Sequence, residues 1–325
     1  MSLESLPVVT LYLSERCNSR CITCDYWRHG RRDMTLESVT QLLPSLLHLR
    51  TRTVLLSGGE PLLNPEWAEI AALLRDNGLV PWLHTSGLSL AKHAKRIREL
   101  FDAVTVSLDG ATPETYKATR GLDAFDVVCE GIIAAANLGT SVSVRVTVQR
   151  ANYVELPMFV DVARVAGARS VSFLAADVAN PHAFGRTDAA GVRAGDIALR
   201  VDDLPLLARV LKGMERDYAA QFQCGFIEQR PARLRRILQY FSAVCGLSAF
   251  PPVRCNAPEF SVAIDAGGRV NPCFFIAGPR GARIPDVSLE SALNSGPAIA
   301  QRHSIRSGEH AECKTCVCTI WRDLQ

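Results

Sequence analysis

The chain has 325 residues, 48% of them hydrophobic, so it can bury a large core and accommodate one or two domains. Its 36 basic and 33 acidic residues nearly balance. The sequence has no dense basic run, so nucleic acid is not expected as a partner. No apolar run reaches the length of about 18 residues that a membrane span needs, and residues 1–7 lack the features of a signal peptide. We therefore expect a cytoplasmic protein.

Strand-like segments rich in β-branched residues alternate with amphipathic segments from residue 8 to about 177. The six predicted strands are Val8–Ser14, Thr53–Ser57, Val80–Thr85, Ala103–Leu108, Ser141–Gln149 and Ser170–Ala175. The predicted helices are Thr35–Leu49, Pro65–Asn77, Leu90–Phe101, Ala124–Leu138 and Glu155–Ala166. Because parallel strands need a crossover connection, this alternation predicts an α/β fold with a parallel sheet, either open and doubly wound or closed toward a barrel.

The remainder of the chain is less regular and changes composition near residue 250. Its predicted elements are a loop over Asn180–Arg200, helices over Asp203–Tyr218 and Pro231–Cys245, a hairpin from Phe260 to Asn271 around a Gly-Gly turn, and a helix over Leu289–Arg302. The three predicted parts of the chain are a core at 1–177, a helical connector that shapes a substrate site at 178–250, and a cysteine-rich hairpin and helix extension at 251–325.

The eleven cysteines are clustered rather than scattered. Cys17, Cys21 and Cys24 follow the first strand with C-x3-C-x2-C spacing. In a reducing compartment disulfides are not expected, which leaves metal binding, catalysis or buried packing, and the clustering favours metal binding. Three thiolates can hold three irons of a four-iron cluster and leave the fourth iron open to an external ligand. A zinc site with His29 as an additional ligand is the alternative.

The turn after the second strand reads Gly58-Gly59-Glu60-Pro61. Its glycines allow the backbone to approach a ligand and adopt positive φ, and its proline restricts the turn. Together with the preceding three-cysteine loop, this turn resembles the radical S-adenosylmethionine (SAM) superfamily over residues 8 to about 177. The resemblance implies a partial (β/α)6 TIM-type barrel.

The resemblance also implies a set of cofactors and ligands. The three cysteines of the first loop would hold a [4Fe–4S] cluster whose open iron chelates the amino and carboxylate groups of SAM, and the glycine-rich turn would contact the methionine ammonium group. An electron delivered by an external flavodoxin- or ferredoxin-type donor would cleave SAM to methionine and a 5′-deoxyadenosyl radical, which abstracts hydrogen from a substrate. Further cofactor contacts implied by the resemblance are Thr85, Ser107, Asp109 and Arg145.

Some of these positions have other interpretations. Arg145 could form an ion pair inside a barrel, and Asp109 could cap a helix or turn. Many relatives place an aromatic residue against the adenine immediately before the third cysteine. This chain has Thr23 there, with Tyr26 and Trp27 just downstream, so the adenine contact is not assigned.

A second group of cysteines lies in the C-terminal part of the chain, at Cys255, Cys273, Cys313, Cys316 and Cys318. Thiolates supplied as two pairs suit zinc or a fully ligated [4Fe–4S] cluster. The C-x12-G-x4-C spacing followed by C-x2-C resembles the Twitch extension, a short form of the SPASM domain. It implies one auxiliary [4Fe–4S] cluster on the first four of these residues, with the fifth either replacing Cys316 or spare. The remaining cysteines, predicted to be packing residues, are Cys129, Cys224 and Cys245.

We therefore predict a radical SAM enzyme acting on a small metabolite, such as a sugar-like alcohol, with the auxiliary cluster assisting a net oxidation. A first strand at about residue 8 leaves no room for an N-terminal peptide-recognition domain, which favours a metabolite over a ribosomal peptide receiving thioether or carbon–carbon crosslinks. A non-catalytic zinc or iron–sulfur scaffold is an alternative from another class. No catalytic residue is assigned, although Asp177, His182 and Glu228 lie in or after the last core strand.

Overall fold

The computed structural model describes residues 2–180, 183–186, 194–281 and 283–323. Within these residues, eight strands form one sheet. The strands are β1 Val8–Ser14, β2 Thr53–Gly58, β3 Val80–Thr85, β4 Ala103–Ser107, β5 Val142–Val148, β6 Ser170–Ala175, β7 Ser261–Ile264 and β8 Val270–Asn271. Their order is β6-β5-β4-β3-β2-β1-β7-β8. All neighbouring pairs are parallel except the antiparallel pair of β7 and β8.

Helices connect the parallel strands and extend the chain beyond them. In the described residues they are α1 Tyr26–His29, α2 Leu36–His48, α3 Trp67–Asp76, α4 Leu90–Leu100, α5 Pro113–Arg120, α6 Phe125–Asn137, α7 Leu156–Val165, α8 Ala194–Ile197, α9 Leu204–Asp217, α10 Ala219–Gln223, α11 Pro231–Val244, α12 Leu289–Asn294 and α13 Gly296–Arg306. None of the described helices is both long and apolar enough to cross a membrane. The predicted α/β fold with a partial, unclosed barrel is confirmed.

Successive side chains of the strands alternate between the buried core and the inner face of the sheet. On β5 the valines are buried, whereas Ser143, Arg145 and Thr147 on the other face remain partly exposed. Successive side chains of a strand point to opposite sides of a sheet, so the valines belong to the apolar core and the polar residues line the inner face. β4 repeats this pattern, with buried Val104 and Val106. The inner face of this part of the sheet is therefore polar.

Helix α5 is absent from the sequence-based prediction. Its N-cap is Thr112, whose side chain accepts a hydrogen bond from the Thr115 amide at 3.2 Å, and Pro113 occupies the first turn. It ends at Gly121, whose φ of 72° is the left-handed conformation that stops a helix. The helix places Arg120 beside the cysteine loop.

The C-terminal part differs from the prediction in two respects. The helix predicted over Leu289–Arg302 is two helices, because Ser295 is extended and caps α13 by accepting a hydrogen bond from the Ala298 amide at 3.4 Å. The predicted hairpin is present, but β7 also pairs in parallel with β1, from Val8 opposite Ser261 onward. The cysteine-rich extension therefore shares the sheet of the core.

Asn64 supports the junction between β1 and the elements around it. Its buried amide donates to the carbonyl oxygens of Leu13 and Met34, both at 2.7 Å. We expect Asn64→Ala to lower the free energy of unfolding by about 2–4 kcal/mol, because two buried carbonyl groups lose their partner. Urea unfolding would measure this change. Asn77→Ala is the matched control, since Asn77 is exposed at the end of α3 and should change stability by at most about 0.5 kcal/mol. Equal effects of the two substitutions would contradict the assigned role of Asn64.

Candidate functional site

The loop carrying Cys17, Cys21 and Cys24 follows β1 and is held on one side by the end of α5. The Arg20 amide donates to the Arg120 carbonyl at 2.9 Å, and the Ile22 amide donates to the Thr119 carbonyl at 3.1 Å. Gly121 packs so closely that a Cβ added there would lie 2.6 Å from the Arg20 carbonyl oxygen. Helix α5 therefore fixes the backbone on both sides of Cys21.

The segment 183–186 holds the other side of this loop. The Asp25 amide donates to the Phe184 carbonyl at 3.0 Å. The buried guanidinium of Arg186 donates to the Thr23 carbonyl at 3.2 Å and to the Asp177 carbonyl at 2.7 Å. The loop is thereby connected to the end of β6.

Burial gives the three thiols of this loop raised pKa values. It raises the pKa of Cys17 to about 11 and that of Cys24 to about 12. Burial also raises the pKa of Cys21, while the Arg120 charge acts in the opposite direction. The pKa of Cys24 is further raised by both other thiols, which places the three groups in one electrostatic neighbourhood. Without a metal they are neutral near pH 7, and metal binding would release their protons.

Unpaired polar atoms nearby test whether these residues fit an iron–sulfur cluster. Ser19 Oγ and Arg120 Nε are buried without a hydrogen-bond partner in the structure. Buried polar atoms normally have partners, so these two unpartnered groups next to the cysteine loop suit a site that receives an anionic group. Cysteine thiolates are the ligands that hold a [4Fe–4S] cluster, and hydrogen-bond donors beside it influence its potential.

A single metal ion is the alternative to a cluster at both cysteine groups. In the described part of the chain, no three His, Cys, Asp or Glu side chains are arranged to hold one metal ion. The cysteines of a four-iron cluster bind different irons, whereas the ligands of zinc all contact one ion.

The Gly58-Gly59-Glu60 turn packs directly on the cysteine loop. Gly58 has φ of 120°, and a Cβ there would lie 2.5 Å from the Ser14 carbonyl oxygen, so the close approach requires glycine. The Gly59 amide donates to the Ser14 carbonyl at 2.7 Å, and the Glu60 amide donates to the Arg16 carbonyl at 2.8 Å. The turn and the loop therefore form one backbone unit.

Glu60 joins this turn to the end of β3. Its buried carboxylate accepts hydrogen bonds from the Leu62 amide at 3.1 Å, the Thr85 hydroxyl at 2.8 Å and the Ser86 amide at 2.7 Å. The Thr85 hydroxyl in turn accepts a hydrogen bond from the Gly87 amide at 3.1 Å. Glu60 and Thr85 thus lie together beside the cysteine loop, while their contacts with a cofactor stay predictions.

Asp109 and Arg120 form a buried ion pair beside the same loop. Asp109 Oδ2 accepts from Arg120 Nη1 at 3.0 Å, and Asp109 Oδ1 accepts from the Thr147 amide at 2.7 Å. Both carboxylate oxygens are therefore bound within the protein. The predicted contact of Asp109 with SAM is untested, and the structure connects this residue to the cysteine loop through Arg120.

Known proteins resemble this chain in sequence and in structure. Residues 11–162 match the family model of the radical SAM superfamily, and this stretch contains the three-cysteine loop, the glycine-rich turn and the ion pair. Residues 11–162 of the chain therefore resemble the radical SAM superfamily. The prediction of a radical SAM enzyme is thus supported at the level of the family.

Two curated relatives resemble about half of the chain in sequence. Fe-coproporphyrin III synthase of Methanosarcina barkeri is 30% identical over 166 residues, which are 49% of this chain and 41% of the relative. GTP 3′,8-cyclase of Limosilactobacillus fermentum is 33% identical over 140 residues, which are 40% of this chain and 42% of the relative. The chain thus spans about half the length of the curated relatives that it matches.

Solved structures share the fold over most of the chain. Streptococcus suis SuiB has a TM-score of 0.69 and 14% identity, covering 94% of this chain and 67% of that protein. The protein anSMEcpe has a TM-score of 0.66 and 18% identity, covering 91% of this chain and 82% of that protein. At these identities the similarity is one of fold.

Polar side chains line the inner face of the sheet. His84 Nε2 and Ser107 Oγ are 3.0 Å apart, and Arg145 Nε donates to Ser172 Oγ at 3.2 Å. Sequence reasoning selected Ser107 and Arg145 but missed His84. The alternation of β3 and the position of His84 immediately before Thr85 are the signals that would have found it.

The second cysteine group lines a cavity of about 70 Å³ between β1, β7 and the C-terminal segment. The cysteines at the cavity wall are Cys255, Cys273, Cys313, Cys316 and Cys318. Three of these sulfurs accept a hydrogen bond from the amide two residues downstream. The donors are Ala257 for Cys255 at 3.4 Å, Phe275 for Cys273 at 3.4 Å and Cys318 for Cys316 at 3.3 Å. Amide hydrogen bonds of this kind favour the thiolate form that binds metal.

The structure shows the burial and contacts of several other residues that the sequence analysis selected. Asp177 is buried, and its Oδ1 lies 3.8 Å from Arg186 Nη1, while burial raises its pKa. Glu228 is exposed and accepts from the Ser170 hydroxyl at 2.7 Å. His182 lies outside the described residues. Cys129 and Cys245 are partly buried, whereas Cys224 is exposed.

The aromatic residues after the cysteine loop have partners within the protein. The Tyr26 ring packs edge-on against Tyr12, with 6.0 Å between the ring centroids. Trp27 Nε1 donates to the Cys21 carbonyl at 3.4 Å. Both side chains therefore support the loop, and the adenine contact remains unassigned.

His84 should give the protein a specific dependence of stability on pH. Burial, aided by the charges of Arg145 and Arg120, lowers the pKa of His84 to about 3. The unfolded chain therefore takes up a proton below about pH 6.5 that the folded chain excludes, and stability falls as pH decreases. We expect His84→Gln to weaken this fall by up to about 1.4 kcal/mol per pH unit, as measured by urea unfolding at pH 7, 6 and 5. Identical slopes for both proteins would contradict this assignment.

Proposed function

We propose that this protein is a radical SAM enzyme that abstracts a hydrogen atom from a small polar metabolite and oxidises it with the help of a second iron–sulfur cluster. The observation that carries the proposal is the unit formed by three partly buried thiols and the rigid glycine-rich turn. Cys17, Cys21 and Cys24 would hold a [4Fe–4S] cluster on a loop fixed from two sides. When bound, the cluster supplies the electron that cleaves SAM to methionine and a 5′-deoxyadenosyl radical.

The residues of the chain would bind and orient SAM around this unit. Gly58 and Gly59 expose their backbone in a turn that tolerates close approach, and Glu60 presents a carboxylate fixed by three hydrogen bonds. These groups suit the methionine ammonium. Thr85 would act indirectly, because its hydroxyl already donates to the carboxylate of Glu60. Pro61 starts the short helical turn that follows and so keeps the turn in place.

The inner face of the sheet favours a polar substrate. Ser107 and Arg145, whose predicted role is contact with SAM, are accompanied by His84 and Ser172 on the same face. Because the pKa of His84 is held near 3, its imidazole is neutral and offers a hydrogen bond without charge. Hydroxyl groups, such as those of a sugar-like alcohol, match these donors and acceptors. An external flavodoxin- or ferredoxin-type protein would supply the electron, and we propose a cytoplasmic location.

The cavity in the C-terminal part supports an auxiliary [4Fe–4S] cluster. Four ligands are required, and five cysteines line the cavity. We propose Cys255, Cys273, Cys313 and Cys316 as ligands, since Cys316 has the same amide hydrogen bond as Cys255 and Cys273. Burial raises the pKa of Cys273 to about 12 and that of Cys313 to about 11, so these thiols need a metal to ionise at neutral pH. Such a cluster would accept one electron from the substrate radical, which also loses a proton to solvent as it becomes the oxidised product.

A peptide substrate is the second candidate. The folds of SuiB and anSMEcpe cover more than nine-tenths of this chain, at 94% and 91%. Those structures are described as SuiB bound to the precursor peptide SuiA and anSMEcpe bound to AdoMet and a Cp18Cys peptide. We place the metabolite first because the polar inner face offers several hydrogen-bonding side chains close together.

Removal of Cys21 tests the proposed SAM cleavage. We expect Cys21→Ala, reconstituted anaerobically with iron and sulfide and reduced with dithionite, to lose formation of 5′-deoxyadenosine and methionine at least a hundredfold, because a cluster lacking one cysteine ligand is not held at the turn. Chromatographic quantification of both products measures this loss. Cys224→Ala is the matched control, since Cys224 is exposed at the end of α10 and should leave product formation unchanged.

The same assay separates the candidate functions. Undiminished product formation by Cys21→Ala would refute the proposed site. Wild-type protein that binds zinc, contains no iron and cleaves no SAM would favour the scaffold. If precursor peptides stimulate 5′-deoxyadenosine formation and no polyol or other polar metabolite does, the substrate is a peptide.

Iron content tests the auxiliary cluster. Two four-iron clusters predict about eight irons per wild-type chain and about four in Cys273→Ala, with SAM cleavage retained. Iron and sulfide analysis of the reconstituted proteins measures this difference. We expect Cys316→Ala to lose iron like Cys273→Ala, and Cys318→Ala, its neighbour in the same cavity, to keep the wild-type content. The reverse result would make Cys318 the ligand, and full iron content in all three variants would exclude a cluster in this cavity.

A further inference from the structure

Arg120 is a buried cation whose hydrogen-bonding capacity is only partly used by the protein. It is the last residue of α5, and its side chain is 9% exposed. Asp109 accepts from Nη1 at 3.0 Å, whereas Nε is buried without a hydrogen-bond partner in the structure. A buried guanidinium is costly unless its donors are satisfied, so an unpaired Nε indicates a place for an acceptor.

The surroundings of Arg120 show where that acceptor would lie. Burial lowers the pKa of the Arg120 guanidinium, whereas Cys21, Asp109, Tyr116 and Cys17, when ionised, raise it, which places these groups near the guanidinium. Its backbone carbonyl accepts from the Arg20 amide at 2.9 Å, so the residue is fixed directly next to the cysteine loop. Backbone and side chain of Arg120 thus both lie next to the cysteine loop.

We propose that Arg120 is a positioning residue that stabilises the reduced form of the [4Fe–4S] cluster on the first cysteine loop. This inference rests on the proposed function, since it requires a cluster on Cys17, Cys21 and Cys24. One-electron reduction by the external donor adds one negative charge to the cluster. A fixed positive charge and a free N–H group beside it favour that reduced state, because net charge and hydrogen bonds to sulfur set cluster potentials. The reduced state is the one from which SAM is cleaved.

The ion pair with Asp109 determines how strongly Arg120 stabilises the reduced cluster. Asp109 is fixed by the Thr147 amide at 2.7 Å and orients the guanidinium, but its negative charge offsets part of the field of Arg120. The backbone bonds that anchor the loop come from the Arg120 and Thr119 carbonyl groups, not from the side chain. Substitutions of the Arg120 side chain therefore change the charge while leaving those anchors in place.

The test is a redox titration of the first cluster, monitored by electron paramagnetic resonance. The proteins are full-length, reconstituted and carry Cys273→Ala so that the auxiliary cluster does not contribute. We expect Arg120→Gln to shift the reduction equilibrium at least tenfold toward the oxidised form, a lowering of 59 mV for a one-electron couple. Arg120→Lys, which keeps the charge, should shift it less than threefold.

The Asp109→Asn variant is expected to shift the reduction potential of the first cluster in the opposite direction. Removing the negative charge leaves Arg120 less compensated, so the equilibrium should move toward the reduced form. A purely structural role would move all variants in the same direction, and an unchanged potential in both Arg120→Gln and Asp109→Asn would overturn the inference. If Arg120→Gln fails to retain a cluster, the sign for Asp109→Asn decides alone. If the protein that keeps Arg120 bound no cluster at all, this result would instead refute the proposed function.

Discussion

The site depends on the immobilisation of an irregular loop by backbone hydrogen bonds. The loop between β1 and α1 carries three cysteines but has no regular hydrogen-bonding pattern of its own, and buried amides need partners. Arg120 and Thr119 accept from two of its amides and Phe184 accepts from a third. The glycine-rich turn adds two further bonds from its own amides to the beginning of the loop. Cysteine positions are therefore set by elements that are up to about 160 residues away in the sequence.

Buried charges of opposite sign accompany this arrangement. Two arginines, Arg120 and Arg186, lie next to the loop, and each is near an aspartate at the end of a strand, Asp109 after β4 and Asp177 after β6. Charges of this kind are costly to bury unless they are paired and hydrogen-bonded. Their presence at the carboxyl ends of the strands follows the placement of functional groups in parallel α/β folds. The second cysteine group differs, because its cavity is lined mainly by apolar side chains.

Much of the core could be predicted because its local signals agree with the tertiary structure. The bounds of β1, β3 and β6 were predicted without error, since β-branched alternation and glycine helix ends mark them clearly. Helix α5 was missed although Thr112-Pro113 and Gly121 are start and stop signals, because a helix of eight residues shows little periodicity. The pairing of Asp109 with Arg120 and the inward position of His84 arise from tertiary geometry, which residue spacing does not encode.

The connection of β7 to β1 explains how the two cysteine groups are related in space. Thr10 of β1 lies at the wall of the second cavity, and β1 ends at Ser14, directly before the first cysteine loop. Four residues of a strand span about 13 Å, so one rigid element of the sheet separates the two sites. Because Ala263 of β7 pairs with Thr10, the extension is fixed to the core by the same hydrogen-bonding ladder that forms the barrel. The separation of the sites is thereby set by a shared strand rather than by the long connector between them.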